Sequence, residues 1–209
     1  MKSITIDAVA ATAMPLDLEL VKNDLRITED DLDAVLTGQY IPAAMAWAEG
    51  ATRRSMIARV HTWIFDKFPS GTTIYATPWS SIIYMPRGIV QSIASIKYSS
   101  DGSIVTLTGP SSGSPAGTDY QEDLTGHVAR VMPTRGEAWP EVDSDVPQPV
   151  KITFTAGWAT DKLVPADLRR AMTAYIYGEM EADGLLQIHP GFDFDFADKL
   201  ISGYRSTEA

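Results

Sequence analysis

The fold is decided most clearly by residues 150–156 of this 209-residue chain, which read VKITFTA. Apolar side chains alternate with polar ones along this stretch: Val150, Ile152 and Phe154 against Lys151, Thr153 and Thr155. Successive side chains of a β-strand point to opposite faces of the sheet, so the alternation predicts a strand with one buried and one solvated face. The strand is therefore expected in a sheet that packs on a core with one face.

Further short strands are predicted upstream of this stretch, at residues 57–65, 82–85, 90–98, 104–107 and 127–132. Turn-forming residues separate them, and Asp101-Gly102 between two of the strands predicts a tight hairpin. Residues 109–118 consist almost wholly of Gly, Ser, Pro and Ala, which is typical of an exposed loop. The region from 57 to 156 is therefore expected to be antiparallel β-structure.

Helices are predicted on both sides of the β-region. One spans residues 17–26, and a second is expected to begin at a capping box formed by Thr28 with Asp31 and to run to residue 54. A kink or break is expected near Gly38–Pro42, because proline removes a backbone donor and clashes with the preceding turn. The last helix is predicted over residues 165–183, opened by Pro165 and stopped by Gly184. Its apolar stripe comprises Leu168, Ala171, Met172, Tyr175 and Ile176.

This order of elements predicts an α+β fold, since no regular βαβ alternation is present. We expect a helical core with an inserted antiparallel β-rich region at residues 57–156. Residues 1–15 are interpreted as an irregular N-terminal arm, residues 16–184 as one domain, and residues 185–209 as an extended C-terminal tail.

Composition limits the functions open to the chain. Its formal net charge is −10, whereas a free-standing nucleic-acid binder usually carries positive charge to neutralise phosphates. A channel through which DNA slides is an exception, because like charge there prevents sticking. The chain has no cysteine, which excludes disulfides, thiolate metal sites and cysteine nucleophiles. No long apolar run and no signal-peptide pattern is present, so we expect a protein folded and used from the cytoplasm, without membrane contact.

No motif predicts catalysis or a cofactor. Residues 109–113 satisfy the G-x-S-x-G pattern of serine hydrolases, but the Gly/Ser/Pro-rich sequence that follows cannot begin the helix that a nucleophile elbow needs. His61 and His127 are interpreted as ordinary strand residues, and the acidic residues 29–33 as a helix start. Trp79 and Trp139 lie beside prolines, and one of them is a candidate interface anchor.

The tail alternates aromatic and acidic residues. Phe192, Phe194 and Phe196 flank Asp193 and Asp195, so an extended segment would have one apolar and one acidic edge. Docking on a partner is the favoured interpretation, and packing within its own chain is the alternative. A carboxylate metal site that includes Asp198 is disfavoured, because the further ligands of a calcium loop are missing.

The ordered set of these features resembles the head–tail connector (adaptor) proteins of tailed bacteriophages and gene transfer agents. The resemblance extends over about residues 15–183. The stretches that carry it are LRITEDD at 25–31, ATRR at 51–54, TWIFDKFP at 62–69, MPRGIVQSI at 85–93, IKY at 96–98, DG at 101–102, DY at 119–120, WP at 139–140, VKITFTAGW at 150–158 and VPADL at 164–168.

The resemblance implies a structural protein of the virion neck that is assembled in the cytoplasm of a bacterial host. Such adaptors form a ring, commonly of twelve copies, which docks on the portal protein and extends the channel for genomic DNA without reading its sequence. The ring also offers a face to a stopper or tail-terminator protein. The C-terminal segment would reach the portal, with these candidate anchors: Phe192, Phe194, Phe196, Leu200 and Tyr204. No enzymatic activity and no cofactor is implied.

Two other classes of protein remain open from the residues themselves. The first is a β-rich carbohydrate- or protein-binding module of a virion, in which exposed Trp and Tyr would form the binding surface. The second is an enzyme that depends on Ser111.

Overall fold

The computed structural model describes residues 3–6, 14–69, 81–111, 117–126, 128–186 and 195–205. The chain divides into two compact units. The β unit comprises residues 1–8 and 59–157, and the helical unit comprises residues 9–58 and 158–209. The α+β class predicted from the sequence is confirmed.

The β unit contains two antiparallel sheets. The five-stranded sheet has the order β1 (Ser3–Ile6), β2 (Arg59–Phe65), β8 (Val150–Ala156), β4 (Val90–Ser100) and β5 (Ser103–Leu107). The three-stranded sheet has the order β3 (Ile83–Tyr84), β7 (Arg130–Pro133) and β6 (Tyr120–Asp123). Strand β8 lies at the centre of the larger sheet, between β2 and β4.

The apolar side chains of residues 150–156 are buried, as their alternation with polar ones predicted. Val150, Ile152 and Phe154 are fully buried, whereas Lys151 is exposed. The core on this side of the sheet is rich in aromatic rings: Phe68 stacks on Trp139 with ring centroids 4.8 Å apart. Trp139 also donates a hydrogen bond from Nε1 to the carbonyl oxygen of Ser81 (2.6 Å), so this tryptophan is a core residue, and Trp79, the other candidate anchor, lies outside the described residues.

The predicted hairpin joins β4 to β5. Asp101 and Gly102 both have positive φ angles, 50° and 72°, which is the requirement of a type I′ turn. The Asp143 carboxylate accepts hydrogen bonds from the Ser99 hydroxyl and from the backbone N–H groups of both turn residues. The hydrogen bond from Ser99, followed by those from the turn, holds the pKa of Asp143 below its usual value.

The helical unit begins with α1 (Leu18–Leu25) and contains α4 (Ala166–Ala182). Helix α4 follows Pro165 and ends as predicted. Gly184 has a φ angle of 74°, and the N–H groups of Gly184 and Leu185 donate to the carbonyl oxygens of Glu181 and Met180. This is a Schellman ending, in which glycine adopts the left-handed conformation that other residues avoid. The predicted stripe is buried along α4, apart from Tyr175, which is half-buried.

The second predicted helix is interrupted, and its predicted start is wrong. The Thr28 hydroxyl donates to the Glu29 carboxylate, and no helix begins there. A short helical turn, α2 (Asp33–Val35), leads into a π-helical turn at Leu36–Tyr40 and then into α3 (Ile41–Thr52). The expected irregularity near Gly38–Pro42 is confirmed. Pro42 has no N–H to continue an α-helical ladder, so the chain widens into a π-turn before it.

Lys22 explains why the acidic residues do not cap a helix at Thr28. Its ammonium group lies 2.7 Å from carboxylate oxygens of both Asp30 and Asp33. The side-chain hydrogen bonds to these two aspartates raise the pKa of Lys22. The acidic run is therefore anchored on α1 by an ion-pair cluster.

Two strands were missed by the sequence patterns. Residues 3–6, predicted as part of an irregular arm, form β1 and pair with β2. Strand β6 lies within a stretch whose apolar and polar residues showed no clear alternation. Strand β7 occupies Arg130–Pro133 and not 127–132, and His127 lies outside the described residues. Such short strands are defined by their neighbours, because four residues contain too few alternations to reveal a period.

Candidate functional site

The C-terminal residues predicted to bind a partner are only partly described. Phe192 and Phe194 lie outside the described residues. Phe196 lies in a short helix, α5 (Asp195–Ile201), and its side chain is 37% exposed. The guanidinium carbon of Arg170, on α4, lies 5.7 Å from the centre of the Phe196 ring, within the range of a cation–π contact. Residues 195–201 are thus helical, and not extended as the alternation of Phe and Asp predicted.

Helix α5 packs on α4 and α3 within the helical unit. Ile201 is fully buried, and Leu200 and Tyr204 are half-buried against the same core. Arg54 Nε donates a 2.8 Å hydrogen bond to the carbonyl oxygen of Tyr204. The alternative of packing within its own chain therefore applies to residues 197–204, and Phe196 is the exposed aromatic of α5.

Among the described residues, the candidate catalytic groups lie on different elements, with His61 on β2 and Ser111 in the segment after β5. His61 is fully buried on β2 and stacks on Phe154, with ring centroids 5.4 Å apart. Gly109 packs directly against the Tyr120 hydroxyl, and a bridge joins Pro110 to Gly117, so the described ends of this segment lie close to each other and Gly109 lies against β6. The described residues hold no cluster of His, Cys, Asp or Glu that would bind a metal ion. Among the same residues, no helix is long and apolar enough to cross a membrane.

One face of the five-stranded sheet concentrates positive charge. Lys97 on β4 and Lys151 on β8 are direct cross-strand neighbours, and both are exposed. Ile64 on β2 and Thr106 on β5 extend the same row across the sheet. We call this surface the basic sheet face. Its members, read from the strand register, are Val60, Thr62, Ile64, Ser92, Ser95, Lys97, Ser99, Ile104, Thr106, Lys151, Thr153 and Thr155.

The basic sheet face has two properties that sequence patterns did not reveal. Lys97 and Lys151 are the only ionisable side chains among these twelve described residues. Ile104, near the hairpin tip, is 78% exposed although it is a large aliphatic residue. The alternation of residues 150–156 indicated that Lys151 would face solvent. Its pairing with Lys97 depends on the register of two strands distant in sequence.

The fold and its surfaces define a class of protein. The chain is an α+β protein in which a two-sheet β unit is inserted in sequence between the two parts of a helical unit. Its notable features are surfaces, namely the exposed Phe196 on α5 and the basic sheet face.

Solved structures with the same fold are components of gene transfer agent (GTA) particles. A chain from the neck of an empty GTA particle, computed with C6 symmetry, matches with a TM-score of 0.70, 20% identity and coverage of 99% of this chain and 97% of that chain. A chain of the virion of a native GTA particle matches with a TM-score of 0.71, 20% identity and coverage of 99% and 96%. A chain from the neck of a native GTA particle, computed with C12 symmetry, matches with a TM-score of 0.65, 20% identity and coverage of 99% and 97%.

No family profile matches the sequence, and no curated protein matches it significantly. At 20% identity the structural matches establish the fold. The resemblance seen in the sequence is therefore confirmed as a shared fold: over nearly its whole length, the chain has the fold of GTA neck and virion components.

Proposed function

We propose that the chain is a structural head–tail connector (adaptor) of a tailed phage or phage-like particle. The observation that supports this most strongly is the match over 99% of the chain to components of GTA necks. The match includes both the helical and the β unit, so it does not rest on one common motif. The ordered sequence features at residues 15–183 support the same assignment independently of the structure.

In this proposal, copies of the chain form a closed ring in the virion neck, assembled in the bacterial cytoplasm. Two of the matching structures are necks computed with C6 and C12 symmetry, and a ring of twelve copies is compatible with both. A ring arises when one heterologous interface repeats until it closes. The ring would dock on the portal protein and present its other side to a stopper or tail-terminator protein.

Genomic DNA would pass through the lumen of this ring without sequence-specific contacts. The net charge of −10 per chain supports this role, because a negative field around the channel repels phosphate and keeps DNA from sticking. Basic residues crowding the lumen of an assembled ring would contradict this part of the proposal.

The portal contact is assigned to the C-terminal segment, with Phe192, Phe194, Phe196, Leu200 and Tyr204 as its residues. Phe196 supports the assignment, because an exposed aromatic ring is a common anchor of protein interfaces. Leu200 and Tyr204 would hold the segment on the helical unit, since both are already packed against its core.

Electron microscopy of the protein mixed with its portal tests the proposal. Deleting residues 185–209 would also remove the buried Ile201, so a gentler variant is needed. Replacing Phe192, Phe194 and Phe196 by Ala leaves the core residues of α5 in place. The matched control is Tyr84→Ala, which removes an aromatic side chain that is 47% exposed in the β unit.

The wild type and the Tyr84→Ala control are expected to form rings that cap the portal, and the triple variant is expected to lose the cap. A triple variant that still caps the portal would contradict the role of the phenylalanines. A wild type that stays monomeric and never binds the portal would contradict the connector function. Affinity of such a monomer for a saccharide would favour a carbohydrate-binding module instead.

A further inference from the structure

The two lysines of the basic sheet face are arranged unfavourably for the isolated chain. Residues directly opposite each other on antiparallel strands have Cβ atoms about 5 Å apart, and like charges at such positions destabilise a sheet. Lys97 and Lys151 occupy such a position. No ion pair in the described part of the chain involves either lysine. An anionic group placed above them would relieve the repulsion.

Asp143, which is hydrogen-bonded to Ser99 on this face, does not provide this group. Asp143 lies beside Ser99, but its carboxylate already accepts hydrogen bonds from the Ser99 hydroxyl and from the backbone N–H groups of Asp101 and Gly102. Both lysines are exposed, so a ligand can reach them.

Apolar residues border the two charges. Ile104 is 78% exposed and lies opposite Ser99, two pairs along the strand from the Lys97–Thr106 pair and therefore on the same face of the sheet. Ile64 is half-buried and lies opposite Lys151 on the other side. A surface that combines cations, hydroxyl groups and aliphatic side chains suits a protein partner. A phosphate backbone would gain nothing from Ile104, and two cations are few beside the roughly six to ten phosphate contacts of a typical DNA-binding protein.

The chemistry of the chain itself indicates which protein would bind. The sequence has 17 Lys and Arg against 27 Asp and Glu. Without Lys97 and Lys151 the remainder carries 15 − 27 = −12 charges. A second copy of the chain is therefore acidic on balance outside this face, and so has the charge opposite to that of the basic sheet face.

We propose that the basic sheet face is a subunit interface, which docks on an acidic surface of the next copy through Lys97, Lys151 and Ile104. This inference rests on the proposed ring and assigns one side of its repeating interface. The contact is heterologous, because a basic surface meets an acidic one, and such a contact builds a ring when the rotation between neighbouring copies closes. The lysines would steer association and make it sensitive to salt, and Ile104 would be buried on contact.

Charge reversal at both lysines tests the interface. The Lys97→Glu/Lys151→Glu variant changes the net charge from −10 to 15 − 29 = −14. The control Lys67→Glu/Lys162→Glu makes the same change at two exposed lysines outside the basic sheet face. Ring formation is measured by sedimentation velocity and negative-stain electron microscopy over a series of protein and sodium chloride concentrations.

Reversal on the basic sheet face is expected to raise the protein concentration needed for half-assembly by about tenfold or more, whereas the control stays close to the wild type. Salt is expected to weaken the assembly of the wild type and not that of the double variant.

The single variant Lys97→Glu separates an effect on docking from an effect on folding. It places opposite charges across β4 and β8, so its thermal midpoint should equal or exceed the wild-type value while assembly is still weakened.

The outcomes separate this inference from the connector function. Wild-type protein that forms no ring under any condition would contradict the proposed function, whatever the lysines do. Rings formed equally well by the wild type and the face variant would overturn the inference and leave the connector function intact. Unchanged rings together with a loss of binding to double-stranded DNA in a gel-shift assay would overturn it as well and assign the face to nucleic acid.

Discussion

His61 is expected to make the β unit sensitive to acid. Its ring is fully buried on β2 and stacks on Phe154. Burial, followed by the positive charges of Arg59 and Arg87, lowers the pKa of His61 from 6.5 to about 4. Both causes act in the same direction, because burial and neighbouring cations each disfavour the protonated ring.

The sign of the effect follows from proton binding. Between pH 6.5 and 4 the unfolded chain takes up a proton at this histidine and the folded chain resists it, so the free energy of unfolding falls as the pH falls. Lowering the pKa of His61 from 6.5 to about 4 corresponds to about 3 kcal/mol of unfolding free energy once the pH is below the folded pKa. Between pH 7 and pH 5 the loss is expected to be about 2 kcal/mol.

The assay is guanidinium denaturation followed by circular dichroism, at pH 7 and pH 5, for the wild type and His61→Phe at equal protein concentration. Phenylalanine keeps a ring against Phe154 and removes the proton site, and the carboxylates titrate alike in both proteins. The wild type should lose about 2 kcal/mol more than the variant between the two pH values. Equal losses would refute the reasoning that burial keeps His61 neutral.

Three further substitutions test the packing of the two units by the same denaturation assay at pH 7. Ile152→Ala should lower the free energy of unfolding by about 2–5 kcal/mol, since it removes a fully buried side chain at the centre of the larger sheet; a loss under about 1 kcal/mol would contradict its central position. Tyr40→Phe should cost about 1–3 kcal/mol, because the Tyr40 hydroxyl donates a 2.5 Å hydrogen bond to the Asp183 carboxylate; an unchanged midpoint would show that water replaces this bond. Gly109→Ala should cost about 1–3 kcal/mol, because its Cβ would overlap the Tyr120 hydroxyl; a neutral result would mean that the loop moves away freely.

Local chemistry made several elements predictable from the sequence. The alternation in residues 150–156 directly determines which side chains β8 buries. Asp101-Gly102 supports the positive φ angles that a two-residue hairpin requires, and Gly184 does the same at the end of α4. Each of these features is settled within a few residues of chain, which explains why the sequence reveals them.

The incorrect predictions fall where a distant residue competes with a local signal. Thr28 has the sequence of a helix cap, but Lys22 holds Asp30 and Asp33, and the helix begins later. Alternating Phe and Asp suggested an extended tail, but α5 forms where its apolar residues meet α4 and α3. Neighbouring prolines suggested an anchor at Trp79 or Trp139, and Trp139 is instead buried against Phe68.

The sequence by itself determined the α+β class, the positions of most turns and helix ends, and the resemblance to head–tail connectors, because these depend on local backbone preferences and on the order of motifs. Only the tertiary structure decided which strands are neighbours, that β1 pairs with β2, and that α5 packs on the helical unit. It also placed Lys97 opposite Lys151 and so created the basic sheet face. Strand register between segments far apart in the chain is set by packing of the whole core, and no local pattern encodes it.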